Sequence, residues 1–276
     1  MTTKPLPEFK NPPVVEVVLS LQFERLEKFS AVEIGVLWER HFRNKFPKTE
    51  FHPPIEPVFE TFGSPTPRVG VKFEIIQGAV EQRIWFVSES GNELIQLQSD
   101  RFIHNWRKVG EGDTYPRYQS IRKTFETEAK VLMDFIAERK LGSIHPTQCE
   151  VGYINHLSAG FGWKNQGEMK DILEPWAGNF NDEFLPTPED IRIQMRFPIY
   201  GPEQIAIGRL HMSCEPSFRK IDGHPMLQLN LTSRGRPLSS DLDGILGFLD
   251  LGREFVVRGF SAVTSKNMHA HWERQQ

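Results

Sequence analysis

VVEVVL at residues 14–19 and IQLQ at residues 95–98 decide the predicted fold, because both stretches have a counterpart in the second half of the chain. Glu16 of the first stretch corresponds to Glu150, and IQLQ corresponds to LQLN at residues 227–230. The two offsets along the chain differ by only two residues. Two strand-like segments that share an offset indicate a duplicated unit, and the alternative is a chance match of four similar residues.

The first half is predicted to have the order β-α-β-β-β-α. Apolar and polar residues alternate over residues 14–24, which is the pattern of a half-buried strand. Apolar residues recur at helical spacing after the capping box that begins at Ser30, and again from Arg117 to Lys140. The predicted elements are a strand at 14–24, a helix at 31–46, a proline-rich loop at 47–67, strands at 69–76, 82–87 and 93–98, and a helix at 117–140.

The second half is predicted to repeat this order, ending in a helix that begins at Asp241 with Ser239 or Ser240 as cap. Glycines inside that helix weaken it by roughly 1 kcal/mol each, so they predict close packing or a kink. The other predicted elements are strands at 149–157, 191–197, 205–213 and 226–231 and a short helix at 166–176.

We therefore expect an α+β protein built from a pseudo-duplicated β-α-β-β-β-α unit. Antiparallel sheets would be covered on one face by long helices, in a TATA-binding-like or helix-grip-like saddle. The predicted halves are residues 1–142 and 143–276, packed together as one globular body.

Composition is that of an ordinary globular chain. With 276 residues, 38% hydrophobic and 25% charged, the chain can bury a large core, and its net charge of −3 excludes a surface that is basic throughout. Its apolar runs fall far short of the roughly 20 residues that span a bilayer, and its first residues lack the pattern of a secretory leader. We expect a cytoplasmic protein without membrane contact, in which Cys149 and Cys214 are small buried hydrophobes.

The candidate site is the segment from residue 96 to residue 118, where a polar strand leads into aromatic and cationic residues. Residues 101–123 contain six Lys or Arg against two acids, although the whole chain is acidic. Local positive charge with aromatic rings is typical of surfaces that grip phosphates and stack bases. The candidate binding residues are Gln96, Gln98, Asp100, Arg101, Asn105, Trp106, Arg107, Lys108, Tyr115, Arg117 and Tyr118.

The same residues are equally consistent with a purely structural role for this segment. Asn105 would satisfy backbone groups, Trp106 would fill the core, and the arginines would pair with acids on the helix. No nucleotide-binding, nucleophile-elbow or metalloprotease motif is present in the sequence, and the histidines form no metal signature. We therefore predict no catalytic residue, no metal and no cofactor.

Four stretches resemble a sporadically distributed bacterial family of unknown function. They are NPPVVEV at 11–17, LQSDRFIHNWRK at 97–108, YPRY at 115–118 and a last helix that ends near Trp272. The resemblance covers nearly the whole chain, and NWRK followed by YPRY is its most specific part. Because that family has no assigned activity, the resemblance implies only a bacterial cytosolic protein, with the patchy occurrence common among accessory or defence-linked genes.

Three functional hypotheses follow. The preferred one is a non-enzymatic binding or regulatory protein, in a toxin–antitoxin or phage-defence context, whose sheet face or basic segment holds another protein. The second is a small-ligand receptor or an enzyme with a pocket between sheet and helix, and the third is a nucleic-acid binder through residues 101–123. Whether the chain forms homo-oligomers is left open. A deep pocket with converging polar groups would favour the second hypothesis, and a broad flat surface would favour the first.

Overall fold

The computed structural model describes residues 5–62, 82–160, 162–176, 182–186, 188–201 and 203–276. These residues form nine strands and four α-helices. The strands are β1 Val14–Phe23, β2 Lys48–His52, β3 Arg83–Val87, β4 Glu93–Gln98, β5 Arg101–Arg107, β6 Pro146–Ser158, β7 Ile193–Tyr200, β8 Ala206–Phe218 and β9 Pro225–Gly235. The helices are α1 Ala31–Leu37, α2 Tyr118–Glu138, α3 Leu242–Val263 and α4 Lys266–His271.

All nine strands belong to one antiparallel sheet, in the order β2-β3-β4-β5-β1-β6-β9-β8-β7. The α+β class is confirmed. The expectation of a separate sheet in each half is wrong, because β1 pairs with β6 along almost its full length and joins the two strand sets.

The predicted match between residues 95–98 and 227–230 does not correspond to equivalent places in the sheet. The first stretch lies in β4, which is separated from β1 by β5, whereas the second lies in β9, directly beside β6. The two stretches therefore resemble each other in sequence without being equivalent strands.

Several predicted elements differ from the observed ones. The predicted helix at 31–46 is α1 followed by a π-helical turn at Trp38–Phe42, and the helix predicted at 166–176 is a single 3₁₀ turn at Met169–Asp171. Strands β2 and β5 were not predicted, and the strand predicted at 69–76 lies outside the described residues. The predictions of β1 and α2 are confirmed to within two or three residues at their ends. Helix α3 begins one residue after the predicted start, but the last helix, expected to end near Trp272, is interrupted after Val263 and continues as α4.

One face of the sheet packs against the helices and forms the core. Leu19 of β1 is in register with His104 of β5 and Val151 of β6, so these side chains share that face. Helix α2 packs over His104, which its residue Glu128 contacts. Helix α3 packs over Val151, which its residue Gly252 approaches. A β-carbon at Gly252 would lie 3.2 Å from the Val151 side chain, which confirms the close packing that the helix glycines predict.

The opposite face of the sheet carries polar and charged side chains, and we call it the polar face. By strand register it includes Glu16, Gln22, Gln96, Gln98, Arg101, Asn105, Arg209, His211 and Arg234. Several of these side chains are buried, since an irregular segment at residues 53–62 crosses the face. Within the described ranges, no helix is both long and apolar enough to cross a bilayer.

Candidate functional site

A cavity of about 380 Å³ lies between the N-terminal segment, the loop that enters α2, helix α3 and the central strands β1 and β6. Its apolar walls include Phe9, Val14, Val256 and Phe260, and its polar groups come from different parts of the chain. The polar lining residues are Glu8, Tyr115, Arg117, Tyr118, Gln119, Tyr153, Asn155, Arg253 and Gln276. A cavity of this size with mixed walls is within the range of small-molecule sites.

Two tyrosine hydroxyl groups meet in the cavity wall. Tyr115 Oη lies 3.0 Å from Tyr153 Oη, so one phenol donates a hydrogen bond to the other. Burial raises the pKa of both phenols, and for Tyr153 the hydrogen bond from Tyr115 and the charge of Arg253 oppose that shift. Both groups therefore remain neutral hydroxyls at physiological pH, able to donate and accept hydrogen bonds.

Arg253 supplies a positive charge to the cavity from helix α3. Its guanidinium carbon lies 4.9 Å from the centre of the Tyr118 ring, while the Tyr118 hydroxyl donates to Asp250 at 2.8 Å. The Nε atom of Arg253 is buried without a hydrogen-bond partner. Because this atom has almost no exposed surface, an acceptor in the cavity would be bound by the other guanidinium nitrogens of Arg253.

Arg117 forms the second cationic group, and its backbone is strained. It has φ 69° and ψ 153°, a combination that only glycine adopts readily. Its guanidinium donates to the carbonyl oxygens of Phe9 at 3.0 Å and Lys10 at 3.2 Å, and it lies 5.7 Å from the Tyr115 ring centre. Arg117 therefore fixes the N-terminal segment as a wall of the cavity.

Neither Arg117 nor Arg253 forms a salt bridge with a carboxylate in the described part of the chain. By contrast, Arg122 pairs with Asp250 and Glu126, and Arg258 pairs with Glu254. Two guanidinium groups without a carboxylate salt bridge thus border a cavity that also holds two neutral phenols and, at its exposed rim, the Glu8 side chain. This arrangement can bind an anionic group by charge-assisted hydrogen bonds.

Only part of the predicted site lies at this cavity. Tyr115, Arg117 and Tyr118 line it, and Trp106 packs behind Tyr115 with ring centres 5.5 Å apart and only 5% of its surface exposed. Lys108 is exposed just after β5, and Asp100 lies in the turn between β4 and β5. The polar face carries the others, which are Gln96, Gln98, Arg101, Asn105 and Arg107.

The residues on the polar face are joined by a hydrogen-bonded row across four strands. Arg83 donates to Gln96 at 2.9 Å, Gln96 donates to Asn105 at 2.8 Å, and Asn105 donates to Glu16 at 2.6 Å. Burial raises the pKa of Glu16 despite the hydrogen bond from Asn105. Asn105 therefore bonds to side chains of the sheet, whereas the structural interpretation expected it to satisfy backbone groups, and Trp106 points to the other side of the sheet.

Tyr153, Asn155 and Arg253 belong to the cavity but were not predicted. They come from β6 and α3, more than thirty positions along the chain from the YPRY motif. Their approach depends on the pairing of β1 with β6 and on the packing of α3 over β6, and no local sequence pattern encodes either. The one available signal is YPRY itself, whose aromatic and cationic side chains all contact the cavity.

The cysteines lie in the strands as predicted. Cys149 and Cys214 are both buried, and burial raises the pKa of both thiols, that of Cys214 to about 12. Across the described residues, no group of three or more His, Cys, Asp or Glu side chains could hold a metal ion.

The sequence matches no family model, no curated protein and no solved structure.

Proposed function

We propose that the protein is a non-enzymatic binding protein that holds a small organic anion in the cavity between α3, the loop before α2 and the sheet. The observation that carries this proposal is that the guanidinium groups of Arg117 and Arg253, which form no salt bridge in the described part of the chain, border one cavity with the Tyr115–Tyr153 pair. A carboxylate or phosphate would supply an opposite charge and acceptors for hydrogen bonds.

The walls favour a ligand with a flat or aliphatic body. Phe9, Val256 and Phe260 offer apolar contact, and the Tyr115–Tyr153 pair can hydrogen-bond to one further polar group. Tyr118 is a cavity-lining hydroxyl beside a carboxylate, that of Asp250 at 2.8 Å, but burial raises the pKa of this phenol and keeps it a neutral hydrogen-bonding group, so the geometry favours binding over catalysis.

The test is a thermal-shift screen of aromatic and aliphatic monocarboxylates and phosphomonoesters, followed by calorimetry on the compounds that stabilise the protein. A ligand at one hundred times its dissociation constant should stabilise the fold by about 2.7 kcal/mol. Arg253→Met should abolish the shift. Arg258→Met, a matched change on the same helix at an arginine that is paired with Glu254, should retain it. A panel that stabilises neither the wild type nor the control would contradict the proposal.

The preferred context, regulation of a partner protein in a toxin–antitoxin or phage-defence system in the cytoplasm, rests on the family resemblance and stays a proposal. The nucleic-acid alternative has less support. It needs the basic residues of 101–123 on one accessible surface, whereas Arg101 is buried on the polar face and Arg117 lies on the helix side.

We also infer that the chain is a duplication of one β-α-β-β-β-α unit, with halves at residues 1–142 and 143–276 related by a saddle-like pseudo-twofold. The strand order supports this inference, but the strands that correspond between the two halves differ from those predicted to correspond. Outward from the centre, β1-β5-β4-β3 matches β6-β9-β8-β7, and each half ends in a long helix, α2 or α3. An experimental structure whose halves fail to superpose in this strand order would overturn it.

A further inference from the structure

The segment at residues 53–62, which we call the strap, crosses the polar face without forming a strand. Its sequence is PPIEPVFETF, and three prolines keep it extended and remove backbone donors. Most of its residues are exposed, whereas the side chains beneath it, including Gln22, Gln98 and Arg101, are buried. The strap therefore lies on the sheet as a surface layer.

Side chains of the sheet bind the strap through its main chain. Gln98 accepts from the amide of Ile55 at 3.0 Å and donates to the carbonyl of the same residue at 2.9 Å. Gln22 accepts from the amide of Val58 at 3.0 Å, and Arg101 donates to the carbonyl of Glu56 at 3.1 Å. These contacts recognise an extended backbone and are independent of the strap's side chains.

The far end of the strap is held by charge. One carboxylate, that of Glu60, contacts three basic side chains: it bonds to Arg209, lies 2.6 Å from His211 Nε2 and lies 3.6 Å from an Arg234 nitrogen. Arg209 also donates to the Thr61 carbonyl at 3.1 Å. The charge and hydrogen bonds of these three groups lower the pKa of Glu60 in spite of its burial.

The strap leaves part of this surface unsatisfied. Arg101 Nε and Gln148 Oε1 have no hydrogen-bond partner, although both residues are more than nine-tenths buried. Gln148 lines a cleft of about 460 Å³ together with Phe59 and Glu60 of the strap. Beside His211, Asn230 Oδ1 is a further buried acceptor without a donor. Such orphaned groups are costly, and an extended main chain could satisfy both the donor and the acceptors.

We propose that the polar face is a binding site for an extended acidic peptide segment of a partner protein, and that the strap occupies this site in cis. The partner segment presents one carboxylate to Arg209, His211 and Arg234, and its backbone to Gln98, Gln22 and Arg101. Because the strap leaves a donor and two acceptors unpaired, a segment that satisfies them displaces it by strand-like peptide recognition.

The experiment removes contacts that hold the strap on the sheet and leaves the side chains of the polar face unchanged. A fluorescein-labelled peptide with the sequence of residues 53–62 is titrated by anisotropy against the wild type, Glu60→Gln and the double variant Glu60→Gln with Val58→Pro, which also removes the amide bonded to Gln22. Glu56→Gln is the matched control, since it removes the same charge from the strap at a residue whose carbonyl accepts from Arg101 and whose carboxylate acts on Arg101 only through its charge. Hydrogen exchange of the strap amides is recorded for every variant.

The strap variants should bind the peptide at least about tenfold more tightly than the wild type and the control do, with faster exchange of the Ile55 amide. A peptide with glutamine in place of its second glutamate should lose this gain. Three outcomes would overturn the proposal: faster strap exchange without peptide binding, unchanged exchange in both strap variants, or loss of the cooperative thermal transition in both. Binding of a labelled oligothymidine in preference to the peptide would also overturn it.

Discussion

The hydroxyl oxygens of Tyr115 and Tyr153 lie 3.0 Å apart, which joins the YPRY loop directly to the central strand β6. Tyr115 also contacts the Trp106 ring, so the loop, strand β5 and strand β6 meet at one aromatic cluster. This cluster forms the inner wall of the cavity. The stability of the core and the shape of the proposed anion site therefore depend on the same side chains.

Alkaline pH should destabilise the fold through the buried phenols. The pKa values of Tyr115, Tyr118 and Tyr153 are raised above the ordinary value of 10.0, chiefly by burial. A raised folded pKa means that the folded state holds its protons more tightly than the unfolded state. The stabilising effect is complete below pH 10, and above it the free energy of unfolding falls by up to about 1.4 kcal/mol per pH unit for each such tyrosine.

The measurement is denaturant unfolding at a series of alkaline pH values, with phenolate absorbance recorded on the native protein. The chain has four tyrosines, so the variant Tyr200→Phe restricts the absorbance signal to the three buried ones. Phenolate should form together with unfolding. Full ionisation in a protein that stays folded would contradict the prediction.

Truncation of Trp106 should cost about 3–5 kcal/mol of stability, because a large buried side chain would be replaced by a cavity. Trp106→Phe keeps the aromatic contact with Tyr115 and should cost less. Chemical denaturation of the two variants beside the wild type measures both losses. A stable, folded Trp106→Ala protein would instead indicate that this ring serves a bound partner.

Helices α2 and α3 show what sequence pattern can specify. Helix α2 has one apolar face and a polar one, and α3 begins beside its predicted start. Its cap is Asp241, whose side chain accepts from the Gly244 amide, and not Ser239 or Ser240 as predicted. Strand β5 shows where a sequence pattern fails to predict a strand. Its residues from Arg101 to Trp106 are buried on both faces, so the alternation that marks a strand is lost, and Ser99-Asp100 lacks the glycine typical of tight hairpins.

The site shows a second limit. The sequence analysis grouped Tyr115, Arg117 and Tyr118, which line the cavity, with Arg101 and Arg107, because neighbours in sequence were assumed to share a surface. Side chains alternate between faces along β5, so Arg107 and Trp106 point in opposite directions. The residues that complete the cavity come from long-range pairing, which periodicity does not report.

Removal of the Glu128 carboxylate should cost about 1–3 kcal/mol. Glu128 is buried at α2, where its oxygens lie 2.7 Å from His104 Nδ1 and 3.1 Å from Lys45 Nζ. Glu128→Gln weakens both contacts and leaves His104 with a neutral partner. The matched control is Glu126→Gln on the same helix, whose partner Arg122 is partly exposed and retains Asp250, so its loss should stay below about 1 kcal/mol. Equal midpoints of urea unfolding for the two variants would contradict this difference.

The strained backbone of Arg117 should make glycine a better replacement than alanine. Both substitutions remove the guanidinium that holds the carbonyls of Phe9 and Lys10, so both should speed hydrogen exchange at the Lys10 and Asn11 amides, which bond to Glu273 and Trp272. Only glycine relieves the conformation at φ 69° and ψ 153°. Arg117→Gly should therefore be more stable than Arg117→Ala by about 1–2 kcal/mol in denaturant unfolding.

Comparison of the glycine and alanine variants with Arg117→Lys separates two roles of Arg117. One is to hold the N-terminal segment as a wall of the cavity, and the other is to supply a positive charge. If the N-terminal segment loosens, the glycine and alanine variants should both lose affinity for the organic anion. Arg117→Lys should recover the charge. It should not recover protection of the Lys10 amide from exchange, because an ammonium lacks the fork that spans two carbonyls. An alanine variant as stable as the glycine variant would mean that the backbone at residue 117 relaxes in solution. In that case the position of the loop before α2 would follow from its contacts, which include the Tyr115–Tyr153 hydrogen bond, the packing of Tyr115 on Trp106 and the Tyr118–Asp250 hydrogen bond.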